Sequence, residues 1–429
     1  MFQKSVLFTC LLLCYSMLLQ AQSIIELRHS GGIYFHYGLK TEGETDIPIS
    51  LGDRQFTGLI IETATKESLE DFQVAEVDGE FMKVTVDEHS PSKIGYKSNL
   101  IYFSSLINSI ELKRTIESDE VVYLHFINAY GDGNAAPIPH QRQKNQSCEK
   151  PEMVKIEYWR SGLPSPSDAP VAHEYRHVVV HHTDGSNEPD DYVQVIRSIY
   201  IQHTQVNGWN DIGYNFLIAG DGTIFEGRDP QGVADITDIR GAHFCAKNTG
   251  TLGVGVMGRF VSQTPNKEAI ESLKHLTTWA MTKQSLHPEE SFPHPTASSD
   301  PLSTFVGHRD GCATECPGTA FYQMLPEVAT AISQKIDGCL SSRSSLAVHS
   351  FQLYPNPSRG IFQVEVQQLD HQFQEFKLYT FSGQPIAEGT IATETQQHEF
   401  DFSHLQSGLY MLCFLPSTTA GNCQKVVIQ

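Results

Sequence analysis

The sequence predicts a multidomain chain, a central α/β domain between two all-β domains, and three observations predict it. The 429 residues amount to about three domains at roughly 150 residues each. Strand-like apolar runs alternate with helical spacing only between Cys148 and Leu340. On either side, short β-prone runs recur between polar turns. Composition agrees: 40% hydrophobic and 19% charged residues can build cores, which excludes wholesale disorder. Fifty acidic against 30 basic residues give a net charge of −20 without basic clusters, which excludes a nucleic-acid partner.

The first 22 residues read as a signal peptide, with Lys4 ahead of an apolar run from Val6 to Leu19. That run is short of the ~20 residues a spanning helix needs, and no later stretch reaches them. The mature protein is therefore expected outside the cytoplasm without a transmembrane segment.

Residues 23–130 contain Ile33-Tyr34-Phe35, Leu59-Ile60-Ile61, Phe81 to Val86 and Val121 to Ile127 between turn-forming residues. This predicts an all-β domain, a sandwich, with no chemical motif and no assigned role. Residues 131–147, rich in Gly, Pro and polar residues, read as a linker.

Residues 148–340 form the α/β domain. Val178-Val179-Val180, Phe216-Leu217-Ile218 and Leu252 to Met257 read as strands, with Asp221-Gly222 as a hairpin turn. Helices are expected from Asp191 onward, from Thr264-Pro265 with Pro at the first helical position, and from Phe321 to a stop at Gly338. A second linker spans 341–349, and 350–429 returns to β patterning as a small sandwich.

In the middle domain three residues converge on a metal site. His181 stands directly after an apolar strand, where a ligand is held rigidly. The segment Gly307-His308-Arg309-Asp310-Gly311-Cys312-Ala313-Thr314-Glu315-Cys316-Pro317-Gly318 supplies His308 and, eight residues on, Cys316 before a helix that favours a thiolate. Two imidazoles and a thiolate suit Zn²⁺ and leave a fourth position for water, as in catalytic sites.

The runs VVVHHT (178–183), DIGYNFLIAGDGTIFEGRD (211–229), GAHFCAKNTGTLGVGVMG (241–258) and GHRDGCATECPG (307–318) resemble, in order and spacing, the type 2 N-acetylmuramoyl-L-alanine amidases, the peptidoglycan recognition proteins above all. The resemblance implies the same ligands, His181, His308 and Cys316, with Tyr214 and Thr314 beside the metal as donors to the developing oxyanion. It also implies an active enzyme cleaving the lactyl-L-alanine amide of peptidoglycan or muropeptide. Two readings remain beside it: a binding protein that does not cleave, and a zinc hydrolase of the same fold acting on another amide. His182, His243, Asn248 and Arg228 are candidate substrate contacts, Arg228 equally a structural ion-pair partner.

At the end, Leu353-Tyr354-Pro355-Asn356-Pro357, Ser382-Gly383, Ser407-Gly408-Leu409-Tyr410 and Lys425-Val426-Val427-Ile428 resemble the sorting domain read by the type IX secretion machinery. With the signal peptide, this implies export to the cell surface or medium.

Seven cysteines follow the signal peptide, an odd number for an exported chain. If Cys316 holds zinc, six remain with 15 possible pairings. The simplest scheme joins Cys413 to Cys423, Cys148 to Cys339 and Cys245 to Cys312.

Overall fold

A computed structural model describes residues 23–87, 92, 94–131, 148–295, 301–345, 351–366, 373–380, 384–390, 397–416 and 422–429. The segment expected to be a signal peptide and nearly all of the expected first linker lie outside those residues. The chain divides into two compact units, Met1–Ile336 and Asp337–Gln429.

The first unit opens with two antiparallel sheets. One runs Ser23–Ser30, Tyr34–Lys40, Val121–Ile127, Phe56–Thr63, Tyr96–Lys97, with Ile101–Ile107 also paired to Phe56–Thr63. The other runs Asp46–Ser50, Ser109–Lys113, Gln73–Glu76, Met82–Lys83. Leu39, Leu59 and Phe126 of the first sheet meet Ile47, Val74 and Leu112 of the second in a shared core. Alternation of buried and exposed residues, clearest in Asp46–Ser50, produces this packing. One short helix, Lys66–Glu70, interrupts the β structure, its first turn capped by the Thr65 side chain.

The α/β region is built on a five-stranded sheet: β1 (His177–His182), β2 (Phe216–Ile218), β3 (Ile224–Glu226), β4 (Thr251–Val256) and β5 (Phe305–Gly307), in the order β3-β2-β4-β1-β5. All neighbours are parallel except the β2–β3 hairpin, whose turn places Gly222 at φ +87° after Asp221. Central parallel strands are covered on both faces. Val178, Val180, Leu252 and Val254 pack with α2 (Lys267–Lys283) and α3 (Thr319–Ser345), through Leu273, Leu276, Phe321 and Val328. Leu217 and Phe225 of the sheet instead cluster with α1 (Tyr192–Ile201) and Trp159. Asp191 caps α1 by accepting from the Val193 and Gln194 amides.

Two helix ends differ from the sequence expectation. Asn266, in extended conformation, is the N-cap of α2, so Pro265 precedes the helix instead of opening it. α3 does not stop at Gly338, nor is Ser341–Ser345 a linker. The helix continues through both to Ser345, because Gly338 does not take the positive φ of a helix-ending glycine.

The β region is fastened to α1 inside the first unit. Ile201 joins Ile33, Tyr34, Ile60, Leu100 and Ile127 in one apolar cluster. Beside it Arg197, 1% exposed, donates to the carbonyls of Trp159 and Ser161 at 2.7 Å each, of Tyr130 at 3.1 Å, and of Ala129. A buried guanidinium is tolerable only when its donors are so satisfied.

The second unit holds two antiparallel sheets, Phe351–Tyr354, Ile361–Val366, Gln397–Asp401, and Pro385–Thr390, Phe373–Thr380, Gly408–Pro416, Asn422–Ile428. Phe362 and Phe400 of one and Leu378, Leu412 and Val426 of the other form its core. The register sets Cys413 opposite Cys423, and Cys413 is disulfide-bonded, as are Cys148 and Cys339. No described helix is long and apolar enough to cross a membrane.

Candidate metal centre

Strand alternation separates the two adjacent histidines of β1. Val179 and His181 point to one face, Val180 and His182 to the other. On the His181 face β4 offers no side chain beside it, because His181 pairs with Gly255 and Val179 with Gly253. A Cβ at Gly253 would lie 2.4 Å from His243 Cδ2, and one at Gly255 would lie 3.3 Å from the Tyr214 ring. The two glycines open a trough in the sheet that His243 and Tyr214 fill.

His181, His308 and Cys316 come together there. Their ligand atoms lie within 4.8 Å of one another, and all three residues are buried. Cys316 Sγ is 3.7 Å from His181 Nδ1, and the His181 and His308 rings are 4.4 Å apart. His308 opens a short 3-10 turn whose Gly307 amide donates to Asp310, which fixes the ring beyond the end of β5. Cys316 is held from both sides: its amide donates to Thr314 Oγ1 at 3.1 Å, and its sulfur receives the His182 amide at 3.4 Å.

The thiols nearby sort themselves. Cys245 and Cys312 are joined in a disulfide with Cα atoms 6.1 Å apart, leaving Cys316 as the free, buried cysteine among the described residues. A second cluster of potential ligands, Cys245, His308 and Cys312, is thereby disqualified, since neither sulfur can be a thiolate. The donor set that remains, two imidazoles and one thiol, fits zinc with one coordination position left over.

The surroundings tune this set. His243 Nδ1 is 3.0 Å from His181 Nε2, and His243 Nε2 is 3.3 Å from Thr251 Oγ1. Burial, with a smaller push from Arg228, depresses His243 to about 3, so its ring is neutral at physiological pH. A neutral ring bonded to one nitrogen of a metal-ligating histidine orients that ligand and frees its other nitrogen for the metal. The Tyr214 ring stands 5.2 Å from that of His181. Burial raises the Tyr214 phenol well above its usual range, as do the nearby Cys316, Asp87 and Asp184, so it remains an O–H donor.

A cleft of about 650 Å³ reaches the two histidines of the set, with Cys316 buried behind them, and is lined by His181, Tyr214, His243, Asn248, His308 and Thr314 among the expected residues. Three lining aromatics escaped the sequence reading: His203, Trp209 and Phe244. The sequence signals for them were the helical spacing of His203, the position of Trp209 just before the Asp211 motif, and the place of Phe244 inside the 241–258 motif. His203 sits in a π-helical turn, Gln202–Val206, that continues α1, packs against Trp209 with ring centroids 4.5 Å apart and planes tilted by 35°, and accepts the Gly213 amide.

The candidate substrate contacts fare differently. Asn248 is at the cleft, but its Oδ1 accepts the amides of His243 and Phe244 and so shapes the loop. Arg228 does not line the cleft. It is buried and donates to Ile212 O and Asn210 Oδ1, a structural role. His182 faces away from His181: its Nδ1 accepts the Phe260 amide at 3.4 Å and its Nε2 lies 3.8 Å from Asp184.

With this geometry described, the chain can be placed beside known proteins. Residues 171–319 match the profile of the N-acetylmuramoyl-L-alanine amidases, and residues 352–429 that of the secretion system C-terminal sorting domain. Peptidoglycan recognition protein 1 of Mus musculus is 32% identical over 176 residues, covering 40% of this chain and 85% of that protein. An N-acetylmuramoyl-L-alanine amidase of Sus scrofa is 28% identical over 171 residues, 38% of this chain and 24% of that one. Among solved structures, Drosophila peptidoglycan recognition protein SD is 28% identical, with 42% of this chain and 95% of that chain covered, at a TM-score of 0.34.

Proposed function

Because the chain belongs to the family of the N-acetylmuramoyl-L-alanine amidases and peptidoglycan recognition proteins, we propose that it is an exported zinc amidase that hydrolyses the lactyl-L-alanine amide of peptidoglycan. One observation carries the reading: His181, His308 and Cys316 are buried within ligand distance of one another, and Cys316 is kept out of a disulfide while its neighbours are paired. A protein that only binds muropeptide has no use for a buried free thiol facing two histidines.

Bound there, zinc would supply a Lewis acid that polarises the amide carbonyl and acidifies water. The chain's own residues do the rest. His243 holds the His181 ring in the orientation that directs Nδ1 toward Cys316. Tyr214, kept protonated, offers its O–H where negative charge develops on the amide oxygen. Thr314, whose hydroxyl oxygen accepts the Cys316 amide, lines the same cleft and adds a second hydroxyl. The His203, Trp209 and Phe244 rings give the sugar and peptide an apolar, water-poor surface.

The C-terminal sorting domain supports export by the type IX machinery, with entry through the signal peptide of residues 1–22. The amidase unit in this reading spans 148–340.

Mass spectrometry of purified muropeptides incubated with the full chain tests the proposal. Expected products are the intact stem peptide and the free lactyl acid of the sugar, lost on chelation and restored by zinc. Retention of muropeptide without products would make the chain a binding protein. Cleavage of another amide alone would reassign the substrate.

A further inference from the structure

The Cys245–Cys312 disulfide forms part of the wall of the metal cleft itself. Cys312 stands midway in the loop that delivers two of the ligands, four residues after His308 and four before Cys316. Cys245 lies two residues beyond His243, which holds the His181 ring. Solvent reaches the bridge, because Cys245 is exposed and Cys312 only half-buried. An accessible disulfide of this kind is open to attack by a thiol.

Opening the bridge would release two sulfurs beside a metal ligand. Cys245 Sγ, Cys312 Sγ and a ring nitrogen of His308 lie within 4.8 Å of one another, as do the ligand atoms of His181, His308 and Cys316. His308 is common to both groups, so the two compete for one imidazole. Two thiolates and an imidazole suit zinc at least as well as one thiolate and two imidazoles. The second group omits His181, whose ring stands beside Tyr214, and Cys316, whose amide donates to Thr314. A metal ion drawn to it loses the ligands around which the hydroxyl donors are arranged. The loop that carries Cys245 is also held in an uncommon conformation, with Cys245 at φ +46° and Ala246 at φ +61°. Residues other than glycine stay in this left-handed region where their surroundings impose it. Here those surroundings are the bridge and Asn248, whose Oδ1 accepts the His243 and Phe244 amides.

We infer that Cys245 and Cys312 are a redox switch on the metal centre. Closed, the bridge reserves His308 for His181 and Cys316; open, its two sulfurs form with His308 a second metal site that withdraws the ion from the amide-cleaving set. The switch of activity rests on the amidase reading, whereas the second site does not. Opening is thiol–disulfide exchange with two equivalents of a low-molecular-weight thiol. The first, as thiolate, attacks one sulfur of the bridge, forming a mixed disulfide and releasing the other cysteine. The second attacks the mixed disulfide at the sulfur of the external thiol and releases the remaining cysteine. The two external thiols leave as one disulfide, and their protons and two electrons pass to Cys245 and Cys312. A chain whose bridge has not closed therefore holds metal without cleaving, and oxidation of this one pair turns cleavage on.

Cobalt(II) in place of zinc tests this on the full chain, because each thiolate bound to cobalt adds to a near-ultraviolet charge-transfer band. A phosphine serves as reductant, since it opens the bridge by taking up the oxygen of water and brings no thiol of its own. The band is expected to correspond to one thiolate per cobalt before reduction and two after it, with turnover lost on reduction and regained on reoxidation. Cys316→Ser gives the sharper reading: the oxidised variant shows no thiolate band, and reduction creates the band of two thiolates. Adding Cys245→Ala and Cys312→Ala to that variant abolishes the gain, which separates this pair from the other cysteines. An unchanged band in the reduced chain, or a gain in Cys316→Ser that survives loss of Cys245 and Cys312, overturns the switch. Cleavage of the lactyl amide with a band indifferent to reduction leaves the amidase standing and removes only the switch. A band that doubles with no cleavage in either state keeps the second metal site and removes the amidase.

Discussion

The two faces of β1 carry neighbouring histidines into opposite kinds of chemistry. His181 looks onto glycines, a thiol and aromatic rings, in a cleft of about 650 Å³. His182, one residue later, looks onto Asp184 and a cavity of about 320 Å³ walled by charges. The first cleft is lined wholly by the amidase fold, whereas the second cavity takes part of its wall, Lys66, Glu70 and Lys83, from the β region. Residues close in sequence are therefore no guide to shared purpose on a strand, where a shift of one exchanges one environment for the other.

Substitutions on the two faces should separate accordingly. Cys316→Ser has the largest effect: a hydroxyl is a poor zinc ligand beside a thiolate, so metal content and turnover are both lost while circular dichroism stays that of the folded chain. Full metal occupancy with full activity would sink the ligand assignment. Tyr214→Phe keeps the ring against Gly255 but removes the donor. Turnover should fall on the order of 10²-fold with zinc still bound, as for loss of an oxyanion donor. Unchanged turnover would return Tyr214 to packing alone.

His243→Ala acts through another residue. It frees His181 to rotate, and zinc affinity measured by competition with a chelator should weaken by about 10- to 100-fold. If activity returned at high zinc, the positioning role would stand, whereas unaltered affinity would contradict it. On the other face, Asn99→Ala removes a hydrogen bond to a mostly buried carboxylate and should cost roughly 1–3 kcal/mol in urea unfolding. Turnover of a muramyl dipeptide in the cleft on the first face should be retained. Equal loss of turnover would show that the faces are not independent.

How much of this could be read in the sequence follows the same division. His181 and His308 stand at strand ends, and Cys316 lies eight residues from His308, so local pattern and motif spacing located them. The Cys245–Cys312 bridge followed from leaving Cys316 unpaired. Asn99 and Asp184 are 85 residues apart and carry no motif, so nothing local announced their contact. Arg228 failed as a substrate contact because a charge in a motif reads alike whether it faces solvent or, as here, satisfies main-chain oxygens in the interior. The overrun of α3 past Gly338 has the same origin: a glycine signals a helix end only when its φ is positive, and composition cannot report φ.

The parallel placement of β1 has a consequence in time. The strand that carries His181 is seated between β4 and β5, whose paired residues the chain supplies 74 and 127 positions later. Sheets closed by such distant partners form slowly, because loop-closure entropy precedes the reward of pairing. The floor of the metal cleft is thus completed only when the last strand arrives, and no fragment ending before β5 can present the full ligand set. Before β5 has formed, the chain holds scattered donors and no assembled ligand set. Amide hydrogen exchange during refolding should find the β1 amides among the last to become protected and, once protected, among the slowest to exchange.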